Sequence, residues 1–154
     1  MSWPNQNYAS MVDFYGKTGE NQTSLMLPYP MRLAWDKSKT VHKITCHKKV
    51  APSLGNILTK IYLHYDDDLM KVQEDRMDLF GGCLNVRRMR GGTAWSIHSW
   101  GTAIDLDPEH NALHMHRDIA TMPEAIINIF VAEGWVSLGR SNNYDFMHFQ
   151  AATF

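Results

Sequence analysis

Cysteine is scarce in this chain: Cys46 and Cys83 are the only two in 154 residues. Two thiols so far apart do not make a disulfide framework, so free thiols are expected. Cys46 stands beside His47, but a single Cys-His dipeptide lacks the second pair that a structural zinc site needs. A surplus of charge is missing too, with 15 Lys plus Arg against 16 Asp plus Glu. No bulk electrostatic grip on nucleic acid or on an anionic membrane is therefore expected, and specificity has to come from a local site. The opening MSWPNQNYAS holds neither a basic cluster nor an apolar run, so it reads as neither a secretory signal nor a membrane span, and a soluble product made in the cytoplasm is expected. Repeats, low-complexity tracts and Pro/Gly/Ser linkers are absent as well. One monomeric domain over residues 1–154 is the expectation, long enough to bury its own core.

What is present is a set of short periodic segments. The first forty residues, rich in Asn, Pro, Tyr and Gly, read as irregular wrapping. From Pro52 to Tyr65 the apolar positions Leu54, Ile57, Leu58, Ile61 and Tyr65 recur at helical spacing, and the proline opens the stretch where its missing N–H costs nothing. A shorter helix is expected over Leu69 to Arg76, before Gly81-Gly82 stops it. Thr121-Met-Pro-Glu124 has the form of a capping box, Gly134 supplies a left-handed stop, and AIINIFVAE between them is apolar nearly all round, as in a largely buried helix. Thr102 to Asp107 alternates as a half-buried strand does, with Ile104 and Leu106 inward and Asp105 on the opposite side. Leu84–Met89, Gly134–Leu138 and Phe146–Gln150 are further strand candidates. The fold class expected is α+β, a small antiparallel sheet packed with helices.

The chemistry concentrates in two stretches. Ser96-Ile-His98-Ser-Trp-Gly101-Thr-Ala103-Ile-Asp105 sets an imidazole and a carboxylate at an odd separation, which on an ideal strand puts them on opposite faces. His98 must then sit on a turn ahead of the strand for both to reach one ion, and Gly101 makes that turn cheap. Tyr144-Asp-Phe-Met-His148-Phe-Gln supplies a second imidazole with a carboxylate three positions earlier. His98, Asp105 and His148 together make a three-ligand set that leaves a fourth tetrahedral position open, as a catalytic zinc requires. Asp145 is then free to act as general base and to pass the proton to a leaving amine.

Ser-x-His-x-x-Gly-x-Ala-x-Asp followed by Asp-x-x-His-Phe resembles the M15 metallopeptidases, the D-Ala-D-Ala carboxypeptidases and L-alanyl-D-glutamate endopeptidases whose fold is shared with the hedgehog domain. The similarity is read from about Leu27 to the C-terminus and includes Phe80-Gly-Gly-Cys-Leu-Asn-Val-Arg87-Arg-Met-Arg-Gly-Gly. The branch it looks closest to is that of phage endolysins, in which Asp is usual at the position of Asp145 where many carboxypeptidases have Glu. The resemblance implies one zinc per chain on His98, Asp105 and His148, with Asp145 as the acid/base. It also implies that Arg87 lies near the substrate carbonyl or carboxylate, where a guanidinium stabilises an oxyanion.

Several implications follow from that branch. The substrate is the peptidoglycan stem peptide, cut at L-Ala–D-Glu, with trimming of D-Ala-D-Ala as the alternative. A zinc-stabilised binding or structural module without turnover is the alternative from another class. A one-domain enzyme of this kind suits a phage of Gram-negative bacteria, and without a signal it reaches the wall through a membrane pore.

Some residues keep two readings. Ser96 either orients a ligand and contacts substrate or satisfies its own turn. Trp95 and Trp100 are cleft wall or packing. Arg88 is the lesser claimant to the role of Arg87, and Arg90 reads as part of a surface ion pair. His114-Met-His116 lies in a polar loop with no carboxylate to complete a site, so no metal is expected there.

Overall fold

The structure is a computed structural model and describes residues 2–154. Its chain order is α1 (Tyr8–Tyr15), β1 (Gln22–Leu33), β2 (Asp36–His47), α2 (Ala51–His64), α3 (Leu69–Glu74), β3 (Leu79–Gly82), β4 (Ala103–Leu106), α4 (Glu124–Ala132), β5 (Val136–Ser137), α5 (Leu138–Asn142) and β6 (His148–Gln150), with a 3-10 turn at Ile97–Trp100 before β4. The strands form one sheet in the order β2-β1-β3-β4-β6-β5. Every neighbouring pair is antiparallel except β1 with β3. This is the expected α+β class, with one parallel pair added.

The largest difference from the sequence reading lies at the start. The irregular wrapping expected over residues 1–40 is not found in residues 2–40, residue 1 lying outside the described residues: α1 and the long β1–β2 hairpin begin there. Asn7 caps α1 by accepting the Ser10 N–H at 2.8 Å. β1 carries Pro28 and Pro30, and the β1–β2 register shifts between Met26 and Met31. The prolines thus occupy an irregularity that needs fewer ladder donors, the place where a strand tolerates them. β2 is largely exposed along its first half, so it shows no apolar alternation.

Other boundaries move for local reasons. α2 and β4 fall where the periodicity places them, whereas α3 ends at Glu74 and Gly81-Gly82 lies inside β3. Leu84–Met89 is a loop apart from an isolated bridge between Arg88 and Trp95; Ser99 Oγ and the Ser96 N–H hold Arg87 by its main chain instead of a strand partner. Thr121 does not cap α4, whose cap position is Pro123. The Thr121 N–H goes to Asn111 Oδ1 and its hydroxyl accepts from Arg76. The strand expected over Gly134–Leu138 is only Val136–Ser137, and the one over Phe146–Gln150 is His148–Gln150.

The core sits between the sheet and α2 with α4. Leu54, Ile57, Leu58 and Ile61 of α2 are fully buried, each contributing about 1.5–3 kcal/mol by leaving water. Phe130 of α4 stacks on Phe149 of β6 with centroids 3.9 Å apart. That contact ties the helix layer to the strand carrying His148, so the strand is anchored from its apolar side while its other face is left for chemistry. Among the described residues, no helix is long and apolar enough to cross a membrane.

Candidate metal centre

His98 sits in the 3-10 turn that the spacing to Asp105 demands. Ser96 opens the turn, its hydroxyl accepting the His98 N–H at 3.3 Å, and Gly101 closes it at φ +68°. A β-carbon at Gly101 would run into the Gln22 side chain, so both conformation and space require glycine there. The turn delivers His98 beside β4 rather than on it.

Asp105 of β4 is paired directly with His148 of β6 in antiparallel register. Residues opposed in this way project from the same face with their β-carbons about 4.5–5.5 Å apart. On the other side of β4, Gly81 leaves the room that Asp105 occupies: a β-carbon there would lie 3.0 Å from Asp105 Cβ. A tight turn brings in Asp145, whose carbonyl accepts the His148 N–H at 3.0 Å. Asp145 has φ +57°, a left-handed conformation that Asp adopts more readily than most residues.

The donor atoms converge. His98 Nε2 lies 3.2 Å from Asp105 Oδ2, His148 Nδ1 lies 3.3 Å from Asp105 Oδ1, and one donor atom from each residue falls within 4.8 Å of the others. Three donors this close together could hold one metal ion between them. Asp105 Oδ1 and Asp145 Oδ1 are buried with no hydrogen-bond partner. Nearly all buried polar atoms have one, and an orphaned pair beside two imidazoles marks a place for an ion and a polar reactant.

The electrostatics agree with that assignment. Burial alone would raise the Asp105 pKa, but His98 and His148 outweigh it and hold the carboxyl well below its ordinary range. Burial would lower the His148 pKa, but the adjacent Asp105 carboxylate outweighs it and raises it. For Asp145, burial is the largest influence and pushes the pKa up, Asp105 adds to the rise, and His148, His98 and Arg87 oppose it. Two carboxyls in one site are driven in opposite directions, one held as an anion and the other pushed toward its protonated form.

The centre opens into a cleft of about 890 Å³ lined by Arg87, Ser96, His98, Asp105, Asp145 and His148 among others. The structure therefore brings all six singled-out residues together. Arg87 is half-buried and has no ion-pair partner among the described residues. Arg88 is occupied elsewhere, stacked 3.7 Å over Trp95 and donating to the Thr93 carbonyl. Arg90 lines the cleft and forms none of the ion pairs found, so its surface-pair reading is corrected. Trp95 lines the cleft, whereas Trp100 is buried and donates its Nε1–H to the Gly16 carbonyl. His116 Nδ1 donates to the Asn143 carbonyl at 2.6 Å, and His47 is bonded to Tyr15 and Lys49 main-chain atoms. Cys46 and Cys83 are free and buried.

Two contributions escaped the sequence. The Cys83 carbonyl accepts from His98 Nδ1 at 2.9 Å, a main-chain role that no residue pattern advertises. Gln150 Oε1 lies 2.9 Å from His148 Nε2, and the signal was there: residues 148 and 150 share a face on a strand.

Fold and site together define a class, an α+β protein with a His-Asp-His cluster that could hold a metal ion, lining a cleft. Residues 90–151 match the protein family described as D-alanyl-D-alanine carboxypeptidase. The match covers about two-fifths of the chain, includes Ser96, His98, Asp105, Asp145 and His148, and supports a peptidoglycan-related metallopeptidase. Arg87 and the stretch back to Leu27, over which the resemblance was extended, fall outside it. No curated protein and no solved structure matches the chain.

Proposed function

We propose that this chain is a zinc-dependent peptidase that cuts the peptidoglycan stem peptide at the L-Ala–D-Glu bond, as a phage-type endolysin does. The observation that carries the reading is the buried, unpartnered Asp145 carboxylate oxygen beside the three converging donors, in the same cleft as Arg87, whose guanidinium has no ion-pair partner among the described residues and donates only to the Arg88 carbonyl. A purely structural zinc site has no use for either residue.

His98, Asp105 and His148 would hold the ion. Zinc supplies Lewis acidity there, making water acidic enough to serve as nucleophile near neutral pH and polarising a peptide carbonyl. Asp145 takes one proton from the attacking water and delivers it to the amide nitrogen as the C–N bond breaks. The water oxygen stays on the carbonyl carbon with its second proton, so the products are an amine and a carboxylic acid that then ionises to solvent. Arg87 donates to the carbonyl oxygen as negative charge builds on it. Arg87→Ala is expected to lower kcat by about 10²-fold with zinc content unchanged. A change confined to KM would assign the guanidinium to ground-state binding instead.

The raised Asp145 pKa sets a pH dependence. The base must be ionised, so activity is present above the folded-state pKa and is lost as pH falls through it. Burial, the largest cause, places that value above the ordinary 3.8. The acid limb of kcat/KM should therefore lie above the usual carboxylate range, and a limb at or below 3.8 would contradict the assignment.

Cleavage between L-Ala and D-Glu is favoured because an endopeptidase needs its arginine at the scissile carbonyl, whereas a carboxypeptidase must also anchor a free carboxylate. Arg88, the neighbouring cation, is already engaged by Trp95 and Thr93. A D-Ala-D-Ala carboxypeptidase is the second reading, favoured by the description of the matching family and by Arg90 at the cleft. Mass spectrometry of digested Gram-negative peptidoglycan separates them. Peptides beginning with D-Glu, with L-Ala left on the muramic acid, are expected; release of free D-Ala alone would establish the carboxypeptidase. In the endolysin reading the enzyme is made in the host cytoplasm and reaches the wall through a membrane pore.

A further inference from the structure

His98 and His148 offer different nitrogens to the same centre, and the second choice is not made by the main chain. His98 Nδ1 lies 2.9 Å from the Cys83 carbonyl, which can only accept. That nitrogen must carry the proton, and Nε2, the one facing Asp105, keeps its lone pair. His148 is reversed: Nδ1 faces Asp105 and Nε2 lies 2.9 Å from the Gln150 side chain. An amide has a donor end and an acceptor end, so the nitrogen that His148 leaves free depends on which end Gln150 presents.

The other end of Gln150 settles the matter. Its Nε2 lies 3.0 Å from the Ala152 main-chain carbonyl and 3.0 Å from Gln6 Oε1, both acceptors. A flipped amide would set oxygen against the Ala152 carbonyl, an acceptor that cannot turn round, inside a site where Gln150 is 2% exposed, and the Gln6 amide then presents its oxygen to the donor that Ala152 has fixed. Gln6 is itself held in place. Its N–H donates to the Thr153 carbonyl at 2.7 Å, and the Thr153 N–H donates to the Pro4 carbonyl at 2.8 Å, so residues 4–6 run alongside the end of the chain just beyond β6. Asn5, Gln6 and Asn7 also line the cleft.

We propose that Gln150, with its amide oriented by Ala152 and Gln6, is the positioning residue that makes His148 a ligand through Nδ1, and that the N-terminal segment is thereby part of the metal centre. Gln150 is not one of the three converging donors and acts through His148. It holds the proton on Nε2, so that the Nδ1 lone pair points at the site, and an acceptor on the far nitrogen also makes the imidazole a better donor to the metal. The inference rests on reading His98, Asp105 and His148 as a metal centre.

The test is zinc affinity of the folded, metal-free protein by competition with a chromophoric chelator, together with nitrogen-15 NMR of the His148 ring in the zinc-loaded protein. Gln150→Leu removes the acceptor and should weaken zinc binding by about 10- to 100-fold. Gln150→Glu keeps an oxygen toward Nε2 but sets its other oxygen against the Ala152 and Gln6 acceptors, so it should bind zinc less tightly than wild type and clearly more tightly than Gln150→Leu. Gln6→Leu, at an exposed position, should weaken binding several-fold and speed solvent exchange of the His148 Nε2 proton. Leu and Glu variants of Gln150 weakening zinc equally would make the residue merely structural. Should Gln150→Leu fail to fold, Gln6→Leu decides: wild-type affinity with an unchanged Nε2 proton overturns the proposal. A wild-type protein that binds no zinc would instead remove the metal reading itself.

Discussion

Asp145→Ala is expected to keep one zinc per chain while turnover falls by about 10²- to 10⁴-fold, the range for removal of a positioned general base. The two halves of that result have separate causes. Asp145 is not one of the three donors that converge within 4.8 Å, so the ion's ligands survive. Its Oδ1 has no hydrogen-bond partner, so truncation breaks no bond at that atom and removes a carboxyl whose ionised form burial disfavours. The one structural cost is at the backbone, since alanine is less at ease than Asp at φ +57°, about 1–2 kcal/mol for a left-handed residue. Asp145→Asn avoids that cost and keeps the shape without the base, so both variants should be equally inactive. Zinc loss in Asp145→Ala equal to that in a true ligand variant would make Asp145 a ligand and cancel its role as base.

His98→Ala should lose both zinc and turnover. Two donors remain on adjacent strands, Asp105 and His148, and the third corner supplied by the 3-10 turn is gone. The Cys83 carbonyl also loses the imidazole that donates to it, and an unsatisfied buried acceptor costs about 1–3 kcal/mol. Wild-type protein should melt higher as zinc is added, because an ion that binds only the folded state stabilises it by mass action. The melting temperature of His98→Ala should not respond to zinc in the same range. A zinc-dependent rise equal to that of the wild type would move the metal away from His98.

The centre was legible because its chemistry is carried by side chains whose geometry is restricted. An odd spacing between His98 and Asp105 with a glycine between them admits few arrangements that reach one ion, and the turn-then-strand arrangement is the one found. Helix α2 was legible for the same reason, since Leu54, Ile57, Leu58 and Ile61 have no other face to share. What escaped lacked a local signal. β1 hides behind Pro28 and Pro30, which sit at a register shift, and β2 is mostly solvated, so neither alternates as a half-buried strand does. Leu84–Met89 alternates in sequence yet leaves Val86 exposed, because contacts from Ser96 and Ser99 hold that loop and carry Arg87 to the cleft. The N-terminal segment is tied to the strand carrying His148 by the contact of Gln6 with Gln150, residues separated by 144 positions. No window along the chain contains that relation.

The most direct test of the account is a zinc titration of chelator-treated protein while hydrolysis of purified peptidoglycan is followed. Activity should be absent without metal, rise in proportion to added zinc, and level off at one equivalent per chain, the capacity of the single cluster among the described residues. Full hydrolysis in excess chelator, or a requirement for two tightly held ions, would contradict it.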